Sequence, residues 1–262
     1  MLLFKELYQY RELLKSNIKK EIRGKYKGSF LGVLWSFVSP LLMVLVYSFI
    51  FPLLMGTPDD YVVYLVTGIL PWTFFAGCVS SGTITVILNA NLIKKVYFPR
   101  EVLPISVVLS GAINFVISCI VIFIFLLTSG IGLSGNLVYF PLILLIQVMF
   151  SLGVTFILAA INVYIRDIEY IMNFIILLLM YLTPILWEVN MITTKAPQFK
   201  EYVKYLFINP MAGIIDSYHQ IFYYKSAPNS NILLYTLVIS VVLMIVGYFT
   251  YRKLEKGFAE EL

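Results

Sequence analysis

Six apolar stretches divide the chain, at residues 33–54, 61–88, 102–128, 137–165, 170–187 and 232–251, and no Asp, Glu, Lys or Arg falls in the core of any of them. A helix needs about 20 apolar residues to cross a hydrocarbon layer of ~30 Å. Inside that layer each backbone N–H and C=O must find its partner within the protein, and segments of this length meet the demand as helices. The sequence therefore predicts an all-α membrane protein with six transmembrane helices. Of its 262 residues, 60% are hydrophobic and 13% charged, where soluble domains carry about 25% charge.

The first stretch is preceded by a basic lead-in. Residues 1–30 hold Lys5, Arg11, Lys15, Lys19, Lys20, Arg23, Lys25 and Lys27 against Glu6, Glu12 and Glu21. Leu3, Leu7, Tyr10, Leu14, Ile18, Ile22 and Tyr26 recur at gaps of three and four, which places them on one helical face. A cationic helix with one apolar face lies in the plane of a membrane surface. Residues 1–30 thus read as an amphipathic interface segment, and residues 31–262 as the transmembrane domain. The basic region is too long for a cleaved signal peptide, and no small-residue cleavage site follows it.

Charge sets the sidedness. With both termini inside, 15 of the 19 Lys and Arg residues fall on inner segments, and only Lys195, Lys200, Lys204 and Lys225 fall outside. Shifting the topology by one span destroys that asymmetry. The net charge of +5 is then a membrane signature, and nucleic acid is not expected as a partner. The longest segment between spans, residues 188–231, is too apolar for a solvated loop. Asn209-Pro210 offers a helix start, with Asn as N-cap and Pro in the first turn. Two short external helices are expected there, lying on or dipping into the outer leaflet.

Several chemistries are missing. Proton- and sodium-driven carriers usually need carboxylates or bases within the membrane. No G-x-x-x-x-G-K-[ST] loop is present, so ATP is not hydrolysed by that route in this chain. His219 is the single histidine, and Cys78 and Cys119 both fall inside spans, so no metal-ligand spacing arises. Ser106, Ser110, Asn114 and Ser118 form one polar stripe, and Ser151, Thr155, Ala159 and Asn162 a second, both suited to helix packing. Six helices do not obviously enclose a wide path, which predicts a homodimer for a large substrate.

The chain resembles the membrane subunit of type-2 ABC exporters of cell-surface polysaccharide, the family of O-antigen and teichoic-acid export permeases. The resemblance rests on Tyr26, Leu31-Gly32-Val33-Leu34-Trp35 and Pro40; on Asn91-Leu92-Ile93-Lys94-Lys95 with Phe98-Pro99-Arg100-Glu101 and Pro104; on Arg166-Asp167-Ile168 with Thr183-Pro184-Ile185; and on Asn209-Pro210. At His219 the chain departs from the Arg that this family often carries after Tyr. The resemblance implies a homodimeric pore in a bacterial cytoplasmic membrane, paired with two copies of an ATP-binding cassette subunit. ATP and Mg would be bound by that partner, with no cofactor in this chain. The cargo implied is a lipid-linked glycan, moved from the inner to the outer leaflet. A drug or small-lipid exporter permease and a non-transporting scaffold are the alternatives.

Site residues follow from that reading. Within the coupling loop, residues 89–104, Asn91, Lys94, Lys95, Tyr97, Phe98, Pro99, Arg100 and Glu101 are expected to meet the ATPase, with Tyr97-Phe98 as an apolar anchor. Met43, Tyr47 and Phe51, then Tyr61, Tyr64, Trp72 and Phe75, then Tyr181 and Trp187 form aromatic faces that suit a sliding surface for sugar. Aromatics also fill membrane cores and mark interfaces. Arg23, Lys25 and Lys27 are candidates for a diphosphate headgroup at the entrance, for the ATPase, or for anionic lipid. Arg166 and Asp167 form either a gating pair or a structural pair at a helix end.

Overall fold

The computed structural model describes residues 8–24, 28–30, 32–55, 60–189, 198, 201 and 203–262; within the first span the side chains of residues 33, 36, 37, 51, 52, 54 and 55 lie outside that description. The helices are α1 (Arg11–Gly24), α2 (Trp35–Met55), α3 (Tyr61–Leu88), α4 (Ala90–Lys95), α5 (Val102–Thr128), α6 (Phe140–Tyr164), α7 (Ile168–Leu182), α8 (Val203–Leu206), α9 (Pro210–Phe222), α10 (Ser230–Leu254) and α11 (Phe258–Glu261). Among the described residues there is no strand.

Among the described residues, four segments are long and apolar enough to cross a membrane: Tyr61–Lys95, Val102–Thr128, Gly135–Tyr164 and Ser230–Glu261. Of the other two expected spans, the first is the 21-residue helix α2, whose described apolar stretch is Val38–Ile50, and the second is short, at Ile168–Leu182. The cause is visible at α7. Pro184 has no N–H and disfavours a helical residue before it, and Thr183 is extended, with φ −92° and ψ 141°. The helix therefore stops five residues before the predicted end, at about 22 Å.

The bundle is built around α3, most of whose residues are buried. It packs against α2, α5, α6, α7 and α9. The tightest pair is α6 with α10, which meet backbone to backbone at Gly153 and Gly247. A Cβ on Gly153 would lie 2.6 Å from the Leu243 carbonyl carbon, and one on Gly247 would collide with the Gly153 carbonyl. Small residues at such a crossing let dispersion contacts form between helices that gain no hydrophobic driving force in lipid.

Pro71 sits inside α3 and weakens its backbone ladder. A lateral bond reinforces the helix at the same level. Gln147 of α6 donates from Nε2 to the Pro71 carbonyl at 2.8 Å, and its Oε1 accepts from the Tyr218 hydroxyl of α9 at 2.9 Å. One buried amide thus ties three helices together.

Asn209 caps α9 as the sequence predicts. Its Oδ1 accepts from Met211 N at 3.0 Å, and its Nδ2 donates to Thr183 Oγ1 at 3.1 Å. α9 does not lie on the surface of the bundle. Ten of its 13 residues are buried, packed against α3, α6 and α10. About 20 Å long and buried on most of its surface, it forms a plug within one end of the bundle.

Two apolar clusters result. The larger fills the body of the bundle, around α3, α5, α6 and α9. The smaller sits at the end where α3, α6 and α10 finish, and joins Ile93, Phe98, Leu103, Phe156, Tyr251 and Phe258, with Tyr10, Leu13 and Leu14 packed against it. We call this the basal end and the opposite one the distal end.

Candidate functional site

The basal end carries residues 89–101 on a rigid seat. α1 lies along α5, and Lys20 donates to Asn89 Oδ1 at 2.9 Å, fixing the amphipathic helix to the end of α3. Leu92 and Ile93 turn inward. Asn91, Lys94 and Lys95 point outward, and Tyr97 is 91% exposed. Phe98 is only 4% exposed. The two halves of the expected aromatic anchor therefore separate: Phe98 holds the loop down while Tyr97 projects from it. Pro99 and Arg100 are half-buried.

Glu101 is 1% exposed and accepts from Arg252 Nε at 2.7 Å. Arg100 donates to the Glu255 carbonyl, and the Tyr251 hydroxyl donates to the Arg100 carbonyl at 3.0 Å. Phe258 is fully buried, 5.5 Å from the Tyr251 ring and 5.9 Å below the Arg100 guanidinium. A small cavity of about 410 Å³ opens between this tail, the loop, and Gln9 and Tyr10. Sequence reading placed the loop but gave the tail only a topological role. A usable signal was there: Tyr248, Tyr251, Arg252, Glu255 and Phe258 continue one helical face beyond the apolar span.

A larger cavity, about 880 Å³, lies between α1, α2, α3 and α5. Its walls include Lys20, Trp35 and Met43, with Thr73, Gly77, Ser81 and Thr85 from α3 and Ser110, Asn114 and Ser118 from α5. Three of the four members of the first polar stripe thus line space rather than a helix contact. Ser110 and Ser118 donate back to Val107 O and Asn114 O on their own helix, which leaves their oxygens as acceptors for a guest.

The aromatic residues fall into two groups. Tyr61, Tyr64, Trp72 and Phe75 are buried within the bundle. Trp72 and Phe75 pack together, and Phe75 stacks on Phe150. Tyr61 donates to the Leu186 carbonyl, and Tyr64 to those of Pro184 and Trp187, so both tyrosines fasten the turn after α7. Trp187 is half-buried and donates to the Tyr181 carbonyl at 3.0 Å. Met43 and Tyr181 are exposed, and Tyr47 shares a hydrogen bond with Tyr181. Phe51 lies among the side chains not described, and Lys25 and Lys27 outside the described residues. Arg23 is exposed, as are Arg166 and Asp167, and no ion pair joins those two.

At the distal end, His219 stacks on Tyr64 with ring centroids 3.9 Å apart. It fits because Gly68 has no Cβ; one there would lie 2.8 Å from Nε2. Burial pushes the His219 pKa down to about 3, so the ring is neutral. Beside it, Tyr224 donates to Glu188 Oε2 at 3.2 Å. Burial raises the carboxyl of Glu188 above the ordinary 4.5, and that of Asp216 above its ordinary 3.8. A folded-state carboxyl pKa that is raised gives stability at low pH that is lost as pH climbs through the folded value. Buried neutral His219 works the other way, because the unfolded imidazole takes up a proton below about pH 6.5, so the carboxyl share is read by comparing Glu188→Gln with the parent in thermal unfolding in detergent near about pH 5 and about pH 7. Glu188→Gln should raise the melting temperature more at the higher pH than at the lower, with the Asp216 share remaining.

Known proteins share this sequence along nearly its full length. An O-antigen export system permease protein (RfbA) of Myxococcus xanthus is 35% identical over 261 residues, 99% of each chain. Two proteins of the same description from Klebsiella pneumoniae are 36% and 34% identical over 253 residues, 96% of this chain and 95% of theirs. The family model described as ABC-2 type transporter matches residues 12–223, from the start of α1 to the end of α9. With the seated basal loop and the helices α2 to α9 inside the matched region, the chain belongs to the ABC-2 type transporter membrane family.

Proposed function

We propose that this chain is the permease subunit of an ATP-driven exporter that moves a lipid-linked cell-surface polysaccharide, of the O-antigen kind, across the bacterial cytoplasmic membrane. The observation that carries the reading is the near-complete match to three O-antigen export permeases. Two copies of the chain form the path, and each engages one ATP-binding subunit, which holds ATP and Mg. The basal end faces the cytoplasm with both termini, and α2, α3, α5, α6, α7 and α10 cross the membrane.

Geometry supports each part. The exposed side chains able to meet an ATP-binding subunit are Asn91, Lys94, Lys95, Val96 and Tyr97, on a loop anchored inward by Ile93, Phe98 and Glu101. α2 and α7 leave apolar faces outside the protomer: Leu42, Leu45, Val46 and Phe49 on one, Phe174, Leu177, Leu178 and Tyr181 on the other. In a homodimer these faces, with Met43 and Tyr47, would meet lipid, the second copy and the passing glycan. Tyr61, Tyr64, Trp72 and Phe75 then shape the wall from behind. The basic lead-in greets the lipid headgroup layer at the entrance.

The test is reconstitution of the chain with its ATP-binding subunit in proteoliposomes. Flipping of a fluorescent polyprenyl-diphosphate-linked oligosaccharide should require ATP. Export of drugs or short lipids but not of this probe would overturn the glycan reading, and failure to bind any ATP-binding subunit would support the scaffold. Lys94→Glu/Lys95→Glu/Tyr97→Ala should insert normally and lose ATP-binding subunit on co-purification by about tenfold, the equivalent of ~1.4 kcal/mol.

A further inference from the structure

We infer that the C-terminal tail, Arg252 to Phe258, is a clasp that makes the last span the receiver of the ATPase's movement, with Arg252 and Phe258 as positioning residues. This rests on the reading of residues 89–101 as the contact with the ATP-binding subunit.

The loop is connected to its neighbours very unequally. Its own flanks offer ordinary helix continuations: α4 follows α3 after one residue, and Glu101 leads into α5. Every long-range polar contact made by Arg100 and Glu101 goes instead to the end of α10: the Glu101–Arg252 ion pair, the Arg100 bond to the Glu255 carbonyl, and the Tyr251 bond to the Arg100 carbonyl. These partners lie about 150 residues away in sequence. Arg252 is further held over the Tyr248 ring at 5.6 Å and within 4.0 Å of Glu255.

The tail is itself locked from behind. Tyr164, the last residue of α6, donates to the Leu254 carbonyl at 2.7 Å. Phe258 fills the space between Tyr251, Tyr164 and the Arg100 guanidinium. Gly257 passes the Tyr164 hydroxyl so closely that a Cβ there would collide with it. Loop, α6 end and α10 end are therefore one block, while Tyr97 stands outside it. A carboxylate 1% exposed is costly to strand without its partner, so the Glu101–Arg252 contact persists when the loop is pushed. A force applied at Tyr97 reaches α10 before it can bend the loop.

The experiment uses the complete complex with its ATP-binding subunit, reconstituted with the fluorescent polyprenyl-diphosphate-linked oligosaccharide. For Arg252→Ala and Phe258→Ala, co-purification of the ATP-binding subunit and ATP hydrolysis should stay within about twofold of the parent. Probe flipped per ATP hydrolysed should fall by about fivefold or more, because only transmission is affected. The charge exchange Glu101→Arg/Arg252→Glu should regain at least about half of the lost ratio, since it restores the pair rather than either residue. An unchanged ratio in Arg252→Ala overturns the proposal, as does a charge exchange no better than Arg252→Ala alone. Loss of the ATP-binding subunit from Arg252→Ala also overturns it, by making the tail part of the docking face. If Arg252→Ala does not accumulate in the membrane, the charge exchange and Phe258→Leu decide between the same outcomes. A parent chain that binds no ATP-binding subunit defeats the exporter reading instead.

Discussion

Gly247→Val should remove the folded protein from the membrane. At this crossing α10 presses on the Gly153 carbonyl, so even one added carbon meets backbone rather than a flexible side chain. Backbone cannot step aside without parting α6 from α10. Overpacking typically costs about 1–3 kcal/mol where side chains can adjust, and here the full pair contact is forfeited as well. The expected cost is ~4 kcal/mol, close to the whole stability margin of a small protein. Gly247→Ala should be milder, and Gly153→Ala of similar size because its Cβ would meet the backbone of Leu243 and Met244. The measurement is the detergent-soluble, monodisperse yield of each variant with a fluorescent fusion. Parent-like yield from Gly247→Val would mean that α6 and α10 are not in backbone contact.

Gln147→Leu is expected to have the second largest effect. The leucine matches the amide in bulk but not in chemistry. It abandons the Pro71 carbonyl and the Tyr218 hydroxyl together. A buried group left alone costs about 1–3 kcal/mol, and Gln147 and Tyr218 are both fully buried. A loss of ~3 kcal/mol is expected, read as a melting temperature lower by about 10 °C at the usual scaling for a chain of this size. Tyr218→Phe abandons only one of the two bonds and should cost about half as much. Equal melting temperatures for Gln147→Leu and Tyr218→Phe would show that the Pro71 bond contributes nothing.

These two positions show where sequence reading stops. Apolar length predicts that α3, α5, α6 and α10 exist, because the bilayer leaves the backbone few options. Asn209 announces its cap because capping is local chemistry, complete within three residues. The early stop of α7 is also local, though it needs Thr183-Pro184 to be weighed above hydropathy. Gln147 and the glycine crossing are different. Their meaning lies in what stands opposite, at Pro71 and at Leu243, and no spacing along one helix records that. The same holds for the polar stripe of α5: Ser110, Asn114 and Ser118 look alike whether they meet a helix or a cavity. In the basal loop the charges could be read, but not the division of labour between Tyr97 and Phe98. Two adjacent aromatics are equivalent in a sequence and opposite in a fold.

The Gly153–Gly247 crossing has a mechanical consequence. Leu152, one residue away, touches both apolar clusters, so the crossing marks the seam between the body of the bundle and its basal block. Along α10, Arg252 stands about 8 Å from Gly247 on one side, and Ser230 about 25 Å on the other. Because Tyr164 ties the end of α6 to that of α10, the two helices tilt together, as a rod with unequal arms about this point, in a ratio of about three. A sideways shift of ~1 Å at the clasp becomes ~3 Å at the far end, where α10 borders the plug helix α9. Gly247 would then be both the tightest joint of the fold and its fulcrum, and the short arm would be the one the ATP-binding subunit pushes.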